Sequence, residues 1–580
     1  MEAAKMKWKI DSSDTDLGIS VSEIEFNDGS KVTNIGKNDI VVFVGANNVG
    51  KSQTLKDIYR ELGDEPVSIL KNLQAVIRGQ AENVIRLIKA VGTCAEHSKK
   101  QFFVFNQSID IESIPYYMRS DCEQHEPFRN LFVCNLDTEK RLSICRPANL
   151  ITRNTIKTHP IHYLAFDASI REKFSKYFNM AFHKFIIPNI LYGSQIPLMV
   201  TDGGIHLATE NLADETERVE AYADELDKYP QAHEQGDGVK GFIGILLYLI
   251  LDFYKVYLID EPEAFLHPPQ ARIMGQLIGE LSKGKKQIFI STHSEQLIHG
   301  LLDKASDRVK IVRITRNQNI NHASALNAED IKQVWNDPIL KYSNILDGLF
   351  YKNVVLCESD SDCRFYSIIN DFLQMEQGKY ADTFFTYSGG KQRIPVIMKA
   401  LSSLGVETKV IVDFDVLNNG SMFEKICKAC KVDWNVVQKD YQVFYDAVNQ
   451  QSKLSMKSKK DVFTQIEKIT KQDSSAAYYT ENEVQNIKNL LKGKSYWSIL
   501  KESGKNAIPA GKAISAFKNI NEIAKAHNLF IVPVGELECF IKEVNSHGPH
   551  WVNDVLEQYS NLTDSVYDEV KKFIGLLNLE

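Results

Sequence analysis

Short, nearly unbroken apolar runs recur along the chain, and most of them end abruptly in glycine or in acidic residues. Ile40–Val44, Val256–Ile259, Gln287–Ile290, Val309–Ile314, Asn353–Cys357, Lys409–Val412 and Phe530–Val534 have strand length and lack the strict alternation of a half-exposed strand. Buried parallel strands covered by helices carry this pattern. Helical stretches flank them, at Gln53–Leu62, over the apolar Phe242–Leu251, and from about Arg364 onward. The expected fold class is therefore α/β. No hydrophobic repeat persists over several heptads, so the long mixed region between Leu55 and Gln235 is expected to form a compact lobe and no extended coiled coil. Hairpins are expected within it at Leu131–Cys145 and around Val200-Thr201-Asp202-Gly203-Gly204.

The strand ends hold the chemistry. Ile40–Val44 is followed by Gly45-Ala46-Asn47-Asn48-Val49-Gly50-Lys51-Ser52 and then a helix, the full context of a P-loop. The backbone of Gly45, Asn47, Asn48 and Gly50 would cradle phosphate, Lys51 would reach the outer phosphates, and Ser52 would offer its hydroxyl to Mg²⁺. Val256–Ile259 runs into Asp260-Glu261-Pro262, where Asp260 is expected to hold Mg²⁺ through water and Glu261 to orient or deprotonate the attacking water. Gln287–Ile290 delivers Ser291-Thr292-His293, which places His293 to sense the outermost phosphate. A lone histidine after a strand is usually a cap or a core residue; this one gains weight as the third member of an ordered set.

These residues resemble ATPases of the ABC and SMC type. The resemblance implies a signature loop before the Asp-Glu-Pro strand, and Gly236-Asp237-Gly238 stands there, departing from the usual Ser-Gly-Gly-Gln form. Two readings stay open: a loop that meets nucleotide bound to a second protomer, so that two chains sandwich ATP, or a plain loop that opens a helix. Glu263–Pro268 would be the dimer-facing loop.

Acidic residues follow three later strands. Glu358 and Asp362 come after Asn353–Cys357, Asp413 and Asp415 after Lys409–Val412, and Glu536 and Glu538 after Phe530–Val534. Residues two apart in an extended stretch share a face, so each later pair is expected to point one way. Six carboxylates at three strand ends would repel one another unless cations neutralised them. Oxygen-only ligands favour Mg²⁺ or Mn²⁺, and two such ions suit in-line attack on a phosphodiester.

This second set resembles a TOPRIM domain, and the series of both sets resembles the OLD (overcoming lysogenization defect) family of ATP-dependent endonucleases. The resemblance implies ATP and Mg²⁺ as cofactors, with Mn²⁺ as an alternative at the nuclease site, DNA as substrate, a homodimer or higher oligomer built through the ATPase domain, and a role in anti-phage defence. It also suggests a partner such as a retron reverse transcriptase with its RNA–DNA product. Ser359 replaces a frequent glycine of the first acidic motif. Family members place a basic residue after the late acidic motif; Lys542, His547 and His550 are the candidates here, and His547 is favoured because histidine transfers protons near neutral pH.

Composition narrows this further. The chain has 580 residues and a net charge of −7, which argues against a generic nucleic-acid binder. From Ser421 to Phe530, however, 18 lysines face 11 acids with no arginine. That stretch could track a phosphate backbone, or could be a solvated helical hairpin. Ser388-Gly389-Gly390-Lys391 could likewise approach phosphate or be a simple turn. Cys427 and Cys430 have C-x-x-C spacing with no matching pair nearby, so they read as one helix face. No apolar run is long enough for a membrane span and the start of the chain is not a secretory signal, so a cytoplasmic protein is expected. The expected organisation is an ATPase domain over 1–316 with an inserted lobe at about 56–235, a charged helical connector over 317–352, and a TOPRIM nuclease domain over 353–580 with a basic helical insertion at about 421–528. Three functions compete: an ATP-regulated endonuclease or nickase, an ATPase switch whose second domain binds nucleic acid without cutting it, and a topoisomerase or primase, for which no dedicated tyrosine domain or polymerising context is present.

Overall fold

The computed structural model describes residues 8–579 except 96, 105–106, 153–154, 156, 204–213, 285, 327–334, 337–343, 404, 455–457, 472–477 and 492–494. The chain divides into two compact units, Met1–Tyr342 and Ser343–Glu580.

In the first unit the central strands are β1 (Ile40–Val44), β2 (Val133–Leu136), β3 (Val256–Asp260), β4 (Gln287–Ser291), β5 (Val309–Asn317) and β6 (Ile320–Ala325). They form one sheet in the order β6-β5-β1-β4-β3-β2. Neighbours from β2 to β5 run parallel, and β6 returns antiparallel along β5. Every residue of β1 and β4 is buried, as the unbroken apolar runs require. The helices that carry the site are α1 (Lys51–Glu61), α2 (Asp237–Leu251), α3 (Pro268–Leu281) and α4 (Glu295–Ala305). Crossing order places the carboxyl ends of β1, β3 and β4 side by side, where a parallel α/β sheet binds its ligands.

A second sheet stands beside this one. Trp8–Asp11 and Gly18–Phe26 flank Leu70–Arg78, and Lys31–Val32 closes the edge. One apolar core draws on both sheets and on α1, through residues such as Ile24, Leu73, Phe43, Phe289 and Ile58.

Three expectations need correction. Residues before about 45 read as opening strands of the ATPase sheet; β1 does belong to it, but the strands ahead of β1 build the second sheet, with Ile19, Val21, Ile24 and Phe26 buried in the shared core. Leu131–Cys145 is no hairpin: β2 leaves it to run parallel beside β3, and Asp137 then caps a short helix, Thr138–Ser143, by accepting from Lys140 N–H. Residues 317–325 do not begin a helical connector, since Asn317↔Ile320 pairing turns the chain back into β6. Asn344–Phe350 is a 3-10 segment, and residues 327–334 and 337–343 of the connector lie outside the described residues. Leu198–Thr201 pairs antiparallel with the earlier Phe185–Pro188, and the hairpin expected around Val200-Thr201-Asp202-Gly203-Gly204 falls in part outside the described residues, from Gly204 onward.

The second unit holds a four-stranded sheet of β7 (Asn353–Cys357), β8 (Thr383–Tyr387), β9 (Thr408–Val412) and β10 (Leu529–Ile531), ordered β8-β7-β9-β10 and wholly parallel. Helix α5 (Asp360–Glu376) follows β7, and α6 (Ile394–Ser403) precedes β9. Between β9 and β10 lies the insertion, with α7 (Trp434–Leu454), α8 (Lys459–Thr470), α9 (Glu481–Leu491), α10 (Tyr496–Ser503) and α11 (Lys512–Ala526) among its helices. Aromatic contacts bind its base together: Phe414, Phe444, Trp497 and Phe517 meet at ring separations of 5.0–6.3 Å. Neither reading of the insertion anticipated that packed base. No helix among the described residues is long and apolar enough to cross a membrane.

Candidate functional site

Gly45 and Gly50 adopt φ of 142° and 100°, and Asn48 takes 63°, the left-handed conformations that let the loop after β1 turn tightly into the start of α1. Lys51 is buried, and its Nζ donates to the carbonyls of Gly45 and Ala46 at 2.9 and 2.8 Å. Burial lowers its pKa to about 8 against the opposing pull of Glu261, Glu263 and Asp260. Three carboxylates of the β3 end thus lie in electrostatic reach of the P-loop lysine, which brings the first two sequence motifs together. Ser52 follows in the first turn of α1.

Asp260 closes β3, opposite Ser291 in β4, and its carboxylate accepts a short hydrogen bond from the Ser291 hydroxyl. Its backbone carbonyl accepts from Arg141, a guanidinium buried to 1% exposure whose pKa burial lowers while Asp260, Glu263 and Glu261 raise it. Glu261 has φ 45°, in the left-handed region, a local strain that recurs at functional sites. Its Oε1 lies 3.5 Å from His293 Nε2. Burial, then the nearby Lys51, depress His293 to about 4, with Asp260 opposing. His293 is therefore neutral near pH 7, with its ring facing the Glu261 carboxylate. Glu263 fixes it from behind, accepting from Thr292 Oγ1 at 2.7 Å and from His293 N–H at 2.8 Å.

Arg141 is a functional neighbour that motif spacing did not single out, and Glu263, expected only as the start of the dimer-facing loop, also braces His293. Arg141 belongs to a segment read as a hairpin, and its only signal is a cation expected near clustered acids. Gly236 and Asp237 open α2, and Gly238 presses on the following loop, where an added Cβ would sit 2.4 Å from the Phe265 carbonyl. Phe265 itself has φ 65° and is 65% exposed. The Gly236–Gly238 segment is thus placed against the Glu263–Pro268 loop, and both expected dimer-facing elements adjoin.

In the second unit the three acidic pairs gather at the carboxyl ends of β7, β9 and β10. Ser359 caps α5 reciprocally with Asp362: Asp362 Oδ2 accepts from Ser359 N–H at 2.9 Å, and Ser359 Oγ accepts from Asp362 N–H at 3.3 Å. The serine in place of glycine therefore orients a carboxylate. Glu358 Oε1 accepts from Asp413 N–H at 3.1 Å. One carboxylate oxygen each from Glu358, Asp413 and Asp415 lie within 4.8 Å of one another. Asp413 and Asp415 do not share the face of an extended strand, as expected; Asp413 caps a 3-10 turn, Phe414–Asn418, and the turn brings Asp415 round. Glu536 precedes a second such turn, Leu537–Phe540, which carries Glu538.

Crowding shows in the proton affinities. Burial lifts Glu358 to about 7, with Lys391 opposing and Asp415 adding, and burial lifts Asp362 to about 6, with Ser359 opposing and Glu538 and Glu536 adding. Asp413 is held well above the carboxylate range by burial and then by Glu358, Asp362, Asp415 and Glu536. A set of oxygen-only donors that cannot all ionise alone fits Mg²⁺ or Mn²⁺. His547 is 80% exposed in its side chain, with Nδ1 3.8 Å from Glu538 Oε1, while Gly548 N–H donates to that oxygen at 2.8 Å. Two lysines make closer contacts than His547: Lys391 Nζ lies 2.7 Å from Asp415 Oδ1 and Lys501 Nζ 3.0 Å from Glu536 Oε2. Lys391 stood in a loop that the sequence left open, and Lys501 was one of many lysines in the insertion.

Among known proteins, residues 155–298 match a family model described as an AAA ATPase domain. That span holds Gly236–Gly238, Asp260, Glu261 and His293, and it begins after the P-loop. The Old nuclease of Escherichia phage P2 is 22% identical over 167 residues, which is 28% of this chain and 28% of that protein's length. Among solved structures, an SMC head bound to the C-terminal winged-helix domain of ScpA is 13% identical, with a TM-score of 0.34, over 55% of this chain and 99% of that one. The SMC head domain from Thermotoga maritima is 12% identical, with a TM-score of 0.28, over 53% and 99%. The chain thus contains an ATPase domain in its first unit, and part of it is distantly similar to a phage nuclease.

Proposed function

We propose that this protein is an ATP-regulated, divalent-metal-dependent DNA endonuclease or nickase of the OLD type, whose second unit is a TOPRIM-like nuclease and whose setting is anti-phage defence. The observation that carries the reading is the convergence of Glu358, Asp413 and Asp415 at adjacent strand ends, with Asp362, Glu536 and Glu538 close enough to perturb one another.

On this reading Lys51 exchanges the Gly45 and Ala46 carbonyls for the outer phosphates of ATP, Ser52 and Asp260 hold its Mg²⁺, and Glu261 takes the proton of the attacking water. Neutral His293 donates to the outermost phosphate, and Glu263 keeps its backbone in place. Gly236-Asp237-Gly238 and the exposed Phe265 face a second protomer, so that nucleotide closes a homodimer. In the second unit, bound divalent ions supply the activated water and the charge stabilisation of the leaving oxygen. Glu358 and Asp413 hold the reacting centre, Asp362 is kept in register by Ser359, and Glu536 and Glu538 complete the ligand set. His547, exposed beside Glu538, is the proton-transfer candidate. A retron reverse transcriptase with its RNA–DNA product is the partner class that fits a chain of this type.

The test is direct: the purified chain is incubated with supercoiled and single-stranded DNA in Mg²⁺ or Mn²⁺, with and without ATP. Metal-dependent nicking or linearisation that responds to ATP supports the reading. ATP turnover without any cutting in either metal would favour an ATPase switch that only binds nucleic acid.

A further inference from the structure

Two ammonium groups already sit on the acidic cluster. Lys391 Nζ contacts Asp415 Oδ1 at 2.7 Å and Lys501 Nζ contacts Glu536 Oε2 at 3.0 Å, so one oxygen of each carboxylate is engaged by the protein itself. Both lysines are held there by backbone. Lys391 follows Gly390, whose N–H donates to the Glu358 carbonyl at 3.1 Å. Lys501 lies in the last turn of α10, where the chain meets the turn before Glu536 with no side chain between them. An added Cβ at Gly504 (φ 53°) would stand 2.1 Å from the Pro533 carbonyl, and one at Gly535 (φ 122°) would stand 2.0 Å from the Lys501 carbonyl. Lys505 N–H donates to Pro533 at 2.9 Å across the same junction. Higher in the insertion, Trp497 Nε1 donates to Asn449 at 3.0 Å, and the Tyr441 hydroxyl donates to the Leu417 carbonyl at 2.9 Å, in the turn that carries Asp415.

The insertion therefore delivers a fixed cation to the late acidic turn, and the loop after β8 delivers another to the middle turn.

We propose that Lys391 and Lys501 are resident counter-cations of the acidic cluster, and that a divalent ion must displace them from Asp415 and Glu536 before the site is fully loaded. The insertion is then a control element for metal loading as well as a surface for phosphate: whatever draws Lys501 away, a DNA backbone included, frees Glu536. The inference rests on the nuclease reading only for the class of ion.

Mn²⁺ binding to the full-length chain, without nucleotide, is measured by the electron paramagnetic resonance signal of free Mn²⁺. Lys501→Met and Lys391→Met should each bind Mn²⁺ on the order of three- to tenfold more tightly than the parent, the modest change expected for removing one partly exposed unit charge. Lys501→Arg should behave as the parent. Unchanged or weaker binding in both folded Met variants would overturn the proposal. The unmodified protein gives an independent readout, in case a variant does not fold. Brief acetylation with and without Mn²⁺, read by mass spectrometry, should show Lys501 and Lys391 becoming several-fold more reactive with metal while the exposed Lys488 does not change. Equal reactivity in both conditions contradicts displacement. A parent that binds no Mn²⁺ at all sinks the metal-site reading with it, whereas normal Mn²⁺ binding with unaffected variants sinks only the counter-cation proposal.

Discussion

Replacing Glu358 by glutamine should stabilise the metal-free protein while removing its response to metal. Glu358 is half-buried, and its pKa rises from 4.5 to about 7 because desolvation, and then the neighbouring Asp415, disfavour its charge while Lys391 opposes them. The folded state therefore holds this proton more tightly than the unfolded chain does. Stability from this group is greatest below pH 4.5, falls as the pH rises toward 7, and above that the full cost of the charge is present. The difference corresponds to about 3 kcal/mol at pH 8, an upper figure because ions and solvent screen part of it. Glutamine keeps the shape and an oxygen that can accept the Asp413 N–H bond, and it carries no charge. Glu358→Gln should thus raise the unfolding temperature of the second unit in EDTA at pH 8 by roughly 2–8 °C, taking about 1–2 kcal/mol after screening and about 2–4 °C per kcal/mol for a unit of this size. At pH 5 the gain should shrink. Mg²⁺ should raise the parent's transition and leave the variant's nearly unchanged. Differential scanning calorimetry over pH and Mg²⁺ measures all of this. A variant less stable than the parent at pH 8 in EDTA, or a parent indifferent to Mg²⁺, would refute the reading that the negative charge left over after Lys391 and Lys501 strains the cluster.

Lys51→Ala should abolish ATP hydrolysis, because the outer phosphate loses its charge-assisted contact; unimpaired turnover by the purified variant would show that this loop is not the catalytic one. Glu261→Gln should bind ATP without hydrolysing it and accumulate as a nucleotide-bridged dimer, so a light-scattering mass unaffected by ATP counts against the sandwich. Neutralising several insertion lysines together should weaken DNA binding and flatten its dependence on salt, and equal salt slopes would return that segment to a solvated role. Gly535→Ala should cost about 3 kcal/mol or more, since the new Cβ would stand 2.0 Å from the Lys501 carbonyl at a φ of 122°; a parental melting temperature would show that the junction between α10 and the Glu536 turn is looser than described.

The motif residues were readable because each follows a buried strand, where apolar runs leave little choice of element and the polar residue after the run has one exit. Asp260, His293, Glu358 and Asp413 fall at such ends. What the sequence hid depends on non-local pairing. Val133–Leu136 has only four residues, and nothing in them says that they join the edge of a sheet whose next strand begins at Val256. Ile320–Ala325 alternates buried and exposed positions beside polar residues, which reads as surface until β5 pairs with it. Arg141, Lys391 and Lys501 were obscure for the same reason: a single cation acquires meaning only when the fold brings acids to it. The Asp413–Asp415 geometry was misjudged because the strand stops at Val412, and a 3-10 turn, not strand alternation, aims the second carboxylate.

The central claim is that one chain hydrolyses ATP at one site and cuts DNA at another. Cleavage of supercoiled DNA and ATP turnover by the same preparation of Asp413→Ala protein test it most directly. The account predicts that cutting disappears in Mg²⁺ and in Mn²⁺ while ATP hydrolysis continues at the parental rate. A folded Asp413→Ala protein that still cuts DNA as fast as the parent would contradict it.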